Sequence, residues 1–300
     1  SNQGNTARYL TVTPVPAFIP VSMLPPTKVT SELSRPVPTR TTFTPVQGKI
    51  YGGSLRLATK YGVRHEDVHQ EAASSLAIWG PGLAYSRLLR FKSGEGLNFP
   101  NMAVECEICF AWEMEDDLNF VFYLREEATW QDLEPVNGRK LIPEDIAYSY
   151  MRQAQVDFPN SSLLKGIANT NVTREGEIRF SLVVPDADFL LSLADGRSKI
   201  VAEEVVEIRG DLLEGPTIGS GPWILDTSDL SDTHTFVKNL DYFEQNKPAV
   251  DRLVIQVISD DTTRDAAFEI GAIDVHNLSP QASIHFMQNS SDFEYLVMPN

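Results

Sequence analysis

His65-Glu66-Asp67-Val68-His69 is the stretch whose residue types and spacing point most directly to chemistry. It matches H-E-x-x-H. On a helix, His65 and His69 would stand one turn apart and hold a zinc ion, and Glu66 would activate a zinc-bound water. The surrounding residues argue against this. Lys60-Tyr61-Gly62-Val63-Arg64 contains a glycine and no helix-start signal. Ser75 stands six residues after His69, where a metzincin has its third histidine, and Ala72 stands where that motif has glycine. No N-E-x-x-x-E follows. The stretch reads as a solvated loop, with a zinc-dependent hydrolase as the rival reading.

Cys106-Glu107-Ile108-Cys109 is a lone C-x-x-C holding both cysteines of the chain. A structural zinc would need a second pair. Glu105 and Glu107 would raise the thiol pKa values, which disfavours redox catalysis. A local disulfide in an oxidising compartment and two half-buried thiols both remain open. Gly215, Gly219 and Gly221 do not make a phosphate loop, because no G-K-[ST] follows and Pro222 removes a donor amide. They suit a tight cleft-edge turn or a plain interstrand turn. Trp79, Trp130 and Trp223 could wall a pocket or pack a core. No Ser-His-Asp arrangement or nucleophile elbow is readable.

These residues must be positioned by the elements around them. Leu55 and Leu57 alternate with polar neighbours, as in a half-buried strand. A helix is expected over Gln70 to Ile78, broken by Pro81-Gly82, and another element begins at Leu83 and runs to Phe91. Phe120 to Leu124 is a dense β-prone run. Pro143, with Glu144 and Asp145 in the first turn, opens a helix. Glu177 to Leu182 alternates as a strand, and Asp186 to Leu193 looks helical. Val201 to Ile208 suits strand or helix. Trp223 to Leu225, His234 to Val237 and Leu253 to Ile258 suit strands. Asp260 or Asp261 caps a helix that runs to Ile270 and stops at Gly271, and Ile273 to Val275 forms a short strand. Alternating strands and helices suit a mixed sheet covered by helices.

Length and charge set outer bounds. The chain has 300 residues and a net charge of −16, enough for about two domains. So acidic a chain repels phosphate backbones, which argues against general nucleic-acid binding. The charge is uneven. Residues 1–49 carry five bases, one acid, eight of the 19 prolines and nine threonines. That composition reads as a disordered Pro/Thr-rich linker. Its apolar stretch from Val12 to Leu24 is interrupted by prolines and makes no membrane helix.

Several segments, in order, resemble the family of extracytoplasmic solute-binding proteins for peptides, oligopeptides and nickel (family 5) that serve ABC importers. They are Gly52-Gly53-Ser54-Leu55-Arg56-Leu57-Ala58, Leu83 to Arg90, and Ala111 to Asp117 followed by Phe120 to Arg125. Next come Trp130-Gln131-Asp132 and Ile142-Pro143-Glu144-Asp145-Ile146-Ala147-Tyr148-Ser149. Gly219-Ser220-Gly221-Pro222-Trp223, Asn239-Leu240-Asp241-Tyr242-Phe243 and Arg264 to Val275 complete the set. The departures sit at structural positions: Leu133 in place of a glycine, Ser220 in place of threonine, and Ile142 with no capping side chain.

The resemblance implies a mixed α/β, periplasmic-binding-protein-like fold of the bilobal type II kind, with an extra inserted domain. Residues 50–63 plus 219–277 would form lobe I, and 64–218 the inserted domain packed on it. Residues 278–300 would start a second lobe that is largely missing, as in an N-terminal portion of a longer protein or a truncated gene product. It also puts His65 to His69 in the loop after the first strand. The implied function is extracytoplasmic capture of a solute, by default a peptide, for the membrane subunits of an ABC transporter. No catalysis, metal or cofactor is expected, and the membrane is reached only through an N-terminal tether. Ligand-contact candidates, chosen by position, are His69, Gln70, Ser74, Ser75, Trp79 and Trp223. A binder of metal or metal chelate through His65 and His69 is the rival among binding proteins.

Overall fold

Among the described residues two apolar patterns build two four-stranded sheets, each with its own core, beside a third sheet of two short strands. The computed structural model describes residues 51–93, 102–173, 176–279, 283–284 and 286. The expected linker (1–49) and nearly all of the expected start of a second lobe (278–300) lie outside them. The first elements are β1 (Ser54–Thr59), α1 (Ser74–Ala77), β2 (Leu89–Phe91), β3 (Val104–Cys106), β4 (Cys109–Met114) and β5 (Asn119–Leu124). Then follow α2 (Pro143–Gln153), β6 (Ile167–Val172), β7 (Glu177–Leu182), α3 (Phe189–Ala194) and α4 (Glu203–Glu207). The last are β8 (Trp223–Ser228), β9 (Thr233–Lys238), β10 (Arg252–Val257) and α5 (Asp261–Glu269).

The first sheet has the order β1-β10-β9-β8. β1 pairs in parallel with β10, from Ser54↔Arg252 to Thr59↔Val257, and the other two pairings are antiparallel. Gly53 donates to Asp251, 198 residues away in sequence. The chain thus leaves this sheet after β1 and rejoins it at β8. Trp223, Phe236, Leu253 and Ile255 form its core, with Leu55, Leu57, Leu83, Leu225 and Val250 packed against them.

The excursion builds a second, antiparallel sheet in the order β4-β5-β7-β6. Phe120 pairs with Phe180, and Phe122 with Ile178, so one face carries a continuous apolar surface. Tyr150 of α2 and Phe189 of α3 cover it, with ring centroids 5.8 and 6.0 Å from Phe180.

Several elements are shorter than the sequence pattern predicts. The helix expected over Gln70 to Ile78 is only Ser74–Ala77, because the Gln70 and Glu71 side chains bond to nearby residues instead. Leu83 to Phe91 contains the end of a 3-10 turn (Pro81–Ala84) and then β2. The ambiguous Val201 to Ile208 contains α4. Asp186 bonds the Asp188 N–H in a turn, so α3 begins later, at Phe189. Ile273 to Val275 makes a single bridge, Leu57↔Val275. Asp260 caps α5 as expected, accepting from the Thr263 N–H. Ile142 cannot cap α2 with its side chain, but its N–H donates to Asp145 at 2.9 Å.

The glycine loop joins the two parts. Gly221 N–H donates to the Ala84 carbonyl at 2.8 Å, and Gln131 exchanges hydrogen bonds with Gly219 while its Nε2 donates to Trp223 O. A Cβ on Gly219 would lie 2.0 Å from the Ala84 carbonyl oxygen. Gly219→Ala is therefore expected to cost about 1–3 kcal/mol of stability by overpacking. Gly166→Ala, at a site with open space for a Cβ, should change it by less than about 0.5 kcal/mol. Urea denaturation of both variants checks the contrast.

Candidate functional site

The loop that follows β1 contains the histidine–glutamate motif, and its geometry is set by Asp67, at the centre of that motif. Asp67 has no exposed surface. Its Oδ1 accepts from the His69 N–H at 3.0 Å and from Arg152 Nη1 at 3.0 Å. Its Oδ2 accepts from Arg152 Nη2, from Gln70 Nε2 at 3.0 Å and from the Leu212 N–H at 3.1 Å. Burial pushes this carboxyl up, but the hydrogen bonds and charge of Arg152 outweigh it and hold the pKa at about 2. Arg152 stands in the last turn of α2 and is itself 6% exposed. The carboxylate thus joins the loop to α2 and to the segment after α4.

His69 lies in the same network and has no exposed surface. Its Nε2 lies 2.9 Å from the Lys199 carbonyl, which can only accept, so Nε2 carries the proton. Nδ1 then accepts from Arg152 Nη1 at 2.9 Å. Burial and the Arg152 charge lower the His69 pKa to about 4, so the ring is neutral at pH 7 with both nitrogens engaged. His65 Nδ1 accepts from the Asp67 N–H at 3.2 Å, and Glu66 accepts from Thr217 Oγ1 at 2.6 Å.

This arrangement does not provide what zinc hydrolysis requires of the motif. Residues 65–69 form loop and turn, not helix, so His65 and His69 do not share a helical face. Among the described residues no group of three or more His, Cys, Asp or Glu side chains is placed to hold a metal.

The six candidates fall in different surroundings. His69 and Gln70 converge on Asp67. Ser74 is exposed and Ser75 buried on the short helix α1. Trp79 is 46% exposed, beside Ile78 at 42%. Trp223 is buried in the smaller core. Trp130 has no exposed surface, and its Nε1 donates to Asp145 at 3.2 Å. Arg139 holds the same carboxylate with both terminal nitrogens, at 2.9 and 2.7 Å. Asn239 donates to the Gly221 carbonyl at 2.9 Å. Sequence reasoning missed Asp67 and Arg152. The one available signal was a carboxylate next to Val68, and nothing local identifies an arginine 85 positions away as its partner.

An open groove of about 740 Å³ runs along α2 beside this network, lined by Gln70, Met151, Arg152, Phe158 and Val206, among others. Cys106 and Cys109 form a disulfide, the first of the two states that the spacing leaves open. Among the described residues no helix is long and apolar enough to cross a membrane.

The described fold is thus an open mixed sheet whose parallel pair, β1 and β10, is interrupted by a long excursion of the chain. The periplasmic binding protein DppA of Helicobacter pylori, solved with peptide STSA, superposes with a TM-score of 0.70 at 20% identity, over 81% of this chain and 50% of that one. The family model described as "Bacterial extracellular solute-binding proteins, family 5 Middle" matches residues 79–295, and the chain belongs to that family. It is 26% identical over 213 residues to heme-binding protein A of Haemophilus influenzae, covering 64% of this chain and 37% of that protein. It is 30% identical over 204 residues to the nickel-binding periplasmic protein of Escherichia coli, covering 66% and 36%. The chain thus spans little more than a third of these curated relatives and half of that solved structure.

Asp67→Asn leaves the Arg152 charge buried without its counter-ion and is expected to cost about 3–5 kcal/mol, read as a fall in the urea midpoint. Acid should act in the same direction. Between pH 6.5 and 4 the unfolded chain takes a proton on His69 that the folded chain refuses. Stability therefore falls on acidification through that window, at up to about 1.4 kcal/mol per pH unit from this residue. The His69→Gln variant, which keeps a donor for the Lys199 carbonyl, should lack that part of the slope when its pH–stability curve is compared with the wild type.

Proposed function

We propose that this chain is part of an extracytoplasmic solute-capture protein serving the membrane subunits of an ABC importer, and that it does no chemistry of its own. The observation that carries this reading is the parallel β1–β10 pair, from whose carboxyl end the 60–79 segment runs on. In open α/β sheets ligands bind outside the carboxyl ends of the strands. Residues 50–63 and 219–277 act as one lobe, 64–218 as a module packed on it, and 278–300 lead into a facing lobe. Residues 1–49 serve as a tether to the envelope.

The solute is a small molecule, and a peptide is the first class to test. Within the positional candidates the geometry favours Trp79 and Ser74, which are open to solvent, over the buried Ser75 and Trp223. His69 and Gln70 act by holding the loop that presents them. A nickel chelate is the second class, favoured by the 30% identity to a nickel-binding protein.

Calorimetric titration with a mixed di- to pentapeptide pool, and separately with nickel plus histidine, tests this reading. One of the two should bind without being consumed, and Trp79→Ala should weaken binding at least about tenfold with an unchanged unfolding midpoint. Absence of binding to either, turnover of the peptides, or undiminished binding by Trp79→Ala contradicts it.

A further inference from the structure

Cys106 ends β3 and Cys109 opens β4, and their disulfide spans Glu107 and Ile108. Ile108 and Cys109 have no exposed surface, and Glu107 is 5% exposed. The turn makes its backbone bonds outward. Glu107 N–H donates to Leu88 O at 3.0 Å and Ile108 N–H to Arg87 O at 3.2 Å. Arg125 donates to both turn carbonyls, from its N–H to Ile108 O and from Nε to Glu107 O, at 2.9 Å each.

The Glu107 side chain meets cations. It accepts from Arg87 Nε at 3.0 Å, while Arg87 Nη1 donates to the Ala194 carbonyl at 3.2 Å. The Lys199 side chain is buried as well. Lys199 is 6% exposed, and its Nζ donates to Tyr85 O at 3.5 Å. Burial and the Arg87 charge lower its pKa to about 7, and Glu107 and Asp195 oppose that.

We propose that the Cys106–Cys109 disulfide is the lock that seats the Glu107 carboxylate as counter-ion to Arg87, so that the packing of this corner depends on the redox state of the pair. A carboxylate gains much from returning to water, and a four-residue turn without its covalent closure can let it go. Reduction by a dithiol balances as a two-electron exchange. One reagent thiolate attacks Sγ of the half-buried Cys106, the S–S bond breaks, and Cys109 leaves as a thiolate. The second reagent thiolate then frees Cys106, giving a cyclic disulfide and two protein thiols once both sulfurs are protonated.

Amide hydrogen exchange of the whole chain, with and without dithiothreitol at one pH, tests the lock. The Glu107, Ile108 and Arg125 amides should exchange at least about tenfold faster after reduction, with Phe236 and Ile255 unchanged. Glu107→Gln separates seating of the carboxylate from simple loop closure. It should lower the urea midpoint of the oxidised protein and leave that of the reduced protein nearly unmoved. Unchanged exchange on reduction, loss of protection that includes Phe236, or an equal midpoint loss from Glu107→Gln in both redox states overturns the proposal.

Discussion

A carboxylate with no exposed surface survives in this fold because Arg152 meets it with two nitrogens and three further N–H groups share its oxygens. Removing two charges from water costs several kcal/mol each, and their mutual attraction offsets that only when the remaining lone pairs are satisfied. Here they are satisfied, by groups from the loop after β1, from α2 and from the segment after α4. These are the places where the inserted module begins, packs and returns. The loop has no regular structure of its own, so its course depends on this ion pair together with the His69–Lys199 and Glu66–Thr217 hydrogen bonds. The same contacts settle the state of His69, whose ring bridges Arg152 and the Lys199 backbone.

The family motifs acquire physical meaning in the same terms. Trp130, Asp145 and Arg139 form one cluster, with the Arg139 guanidinium 5.5 Å from the Trp130 ring centroid. The two glycines of the 219–223 loop let it lie against the Ala84 carbonyl, and Asn239 fastens that loop from the other side. Arg56 and Asp274 pair across the sheet where the chain leaves α5. These motifs act as structural ties, between side chains in the first case and on loop backbone in the second. Family resemblance therefore reports on the scaffold more directly than on the solute.

Much of this scaffold was legible in the sequence, because strand alternation and helix stop signals are local. Phe120 to Leu124, Glu177 to Leu182 and the Asp260-capped helix lie within two residues of where the pattern predicts them. The site was less legible. H-E-x-x-H draws attention to its three fixed positions, yet the charge pairing falls on Asp67, one of its free positions. Arg152 looks from sequence like an ordinary helix-end arginine, and only the return of α2 onto the loop makes it the partner. Trp79, Trp130 and Trp223 read alike along the chain. They separate into one exposed ring and two buried ones because burial depends on what comes back from distant sequence.

The account rests on the loop being scaffold held by a neutral, bridging histidine, and the imidazole nitrogens of His69 report on that most directly. Nitrogen-15 chemical shifts of the labelled ring should show one protonated and one unprotonated nitrogen, with the proton on Nε2, at every pH from 5.5 to 8, unmoved by equimolar zinc. A ring that titrates near pH 6.5 like a free imidazole, or whose nitrogens shift when zinc is added, would contradict it.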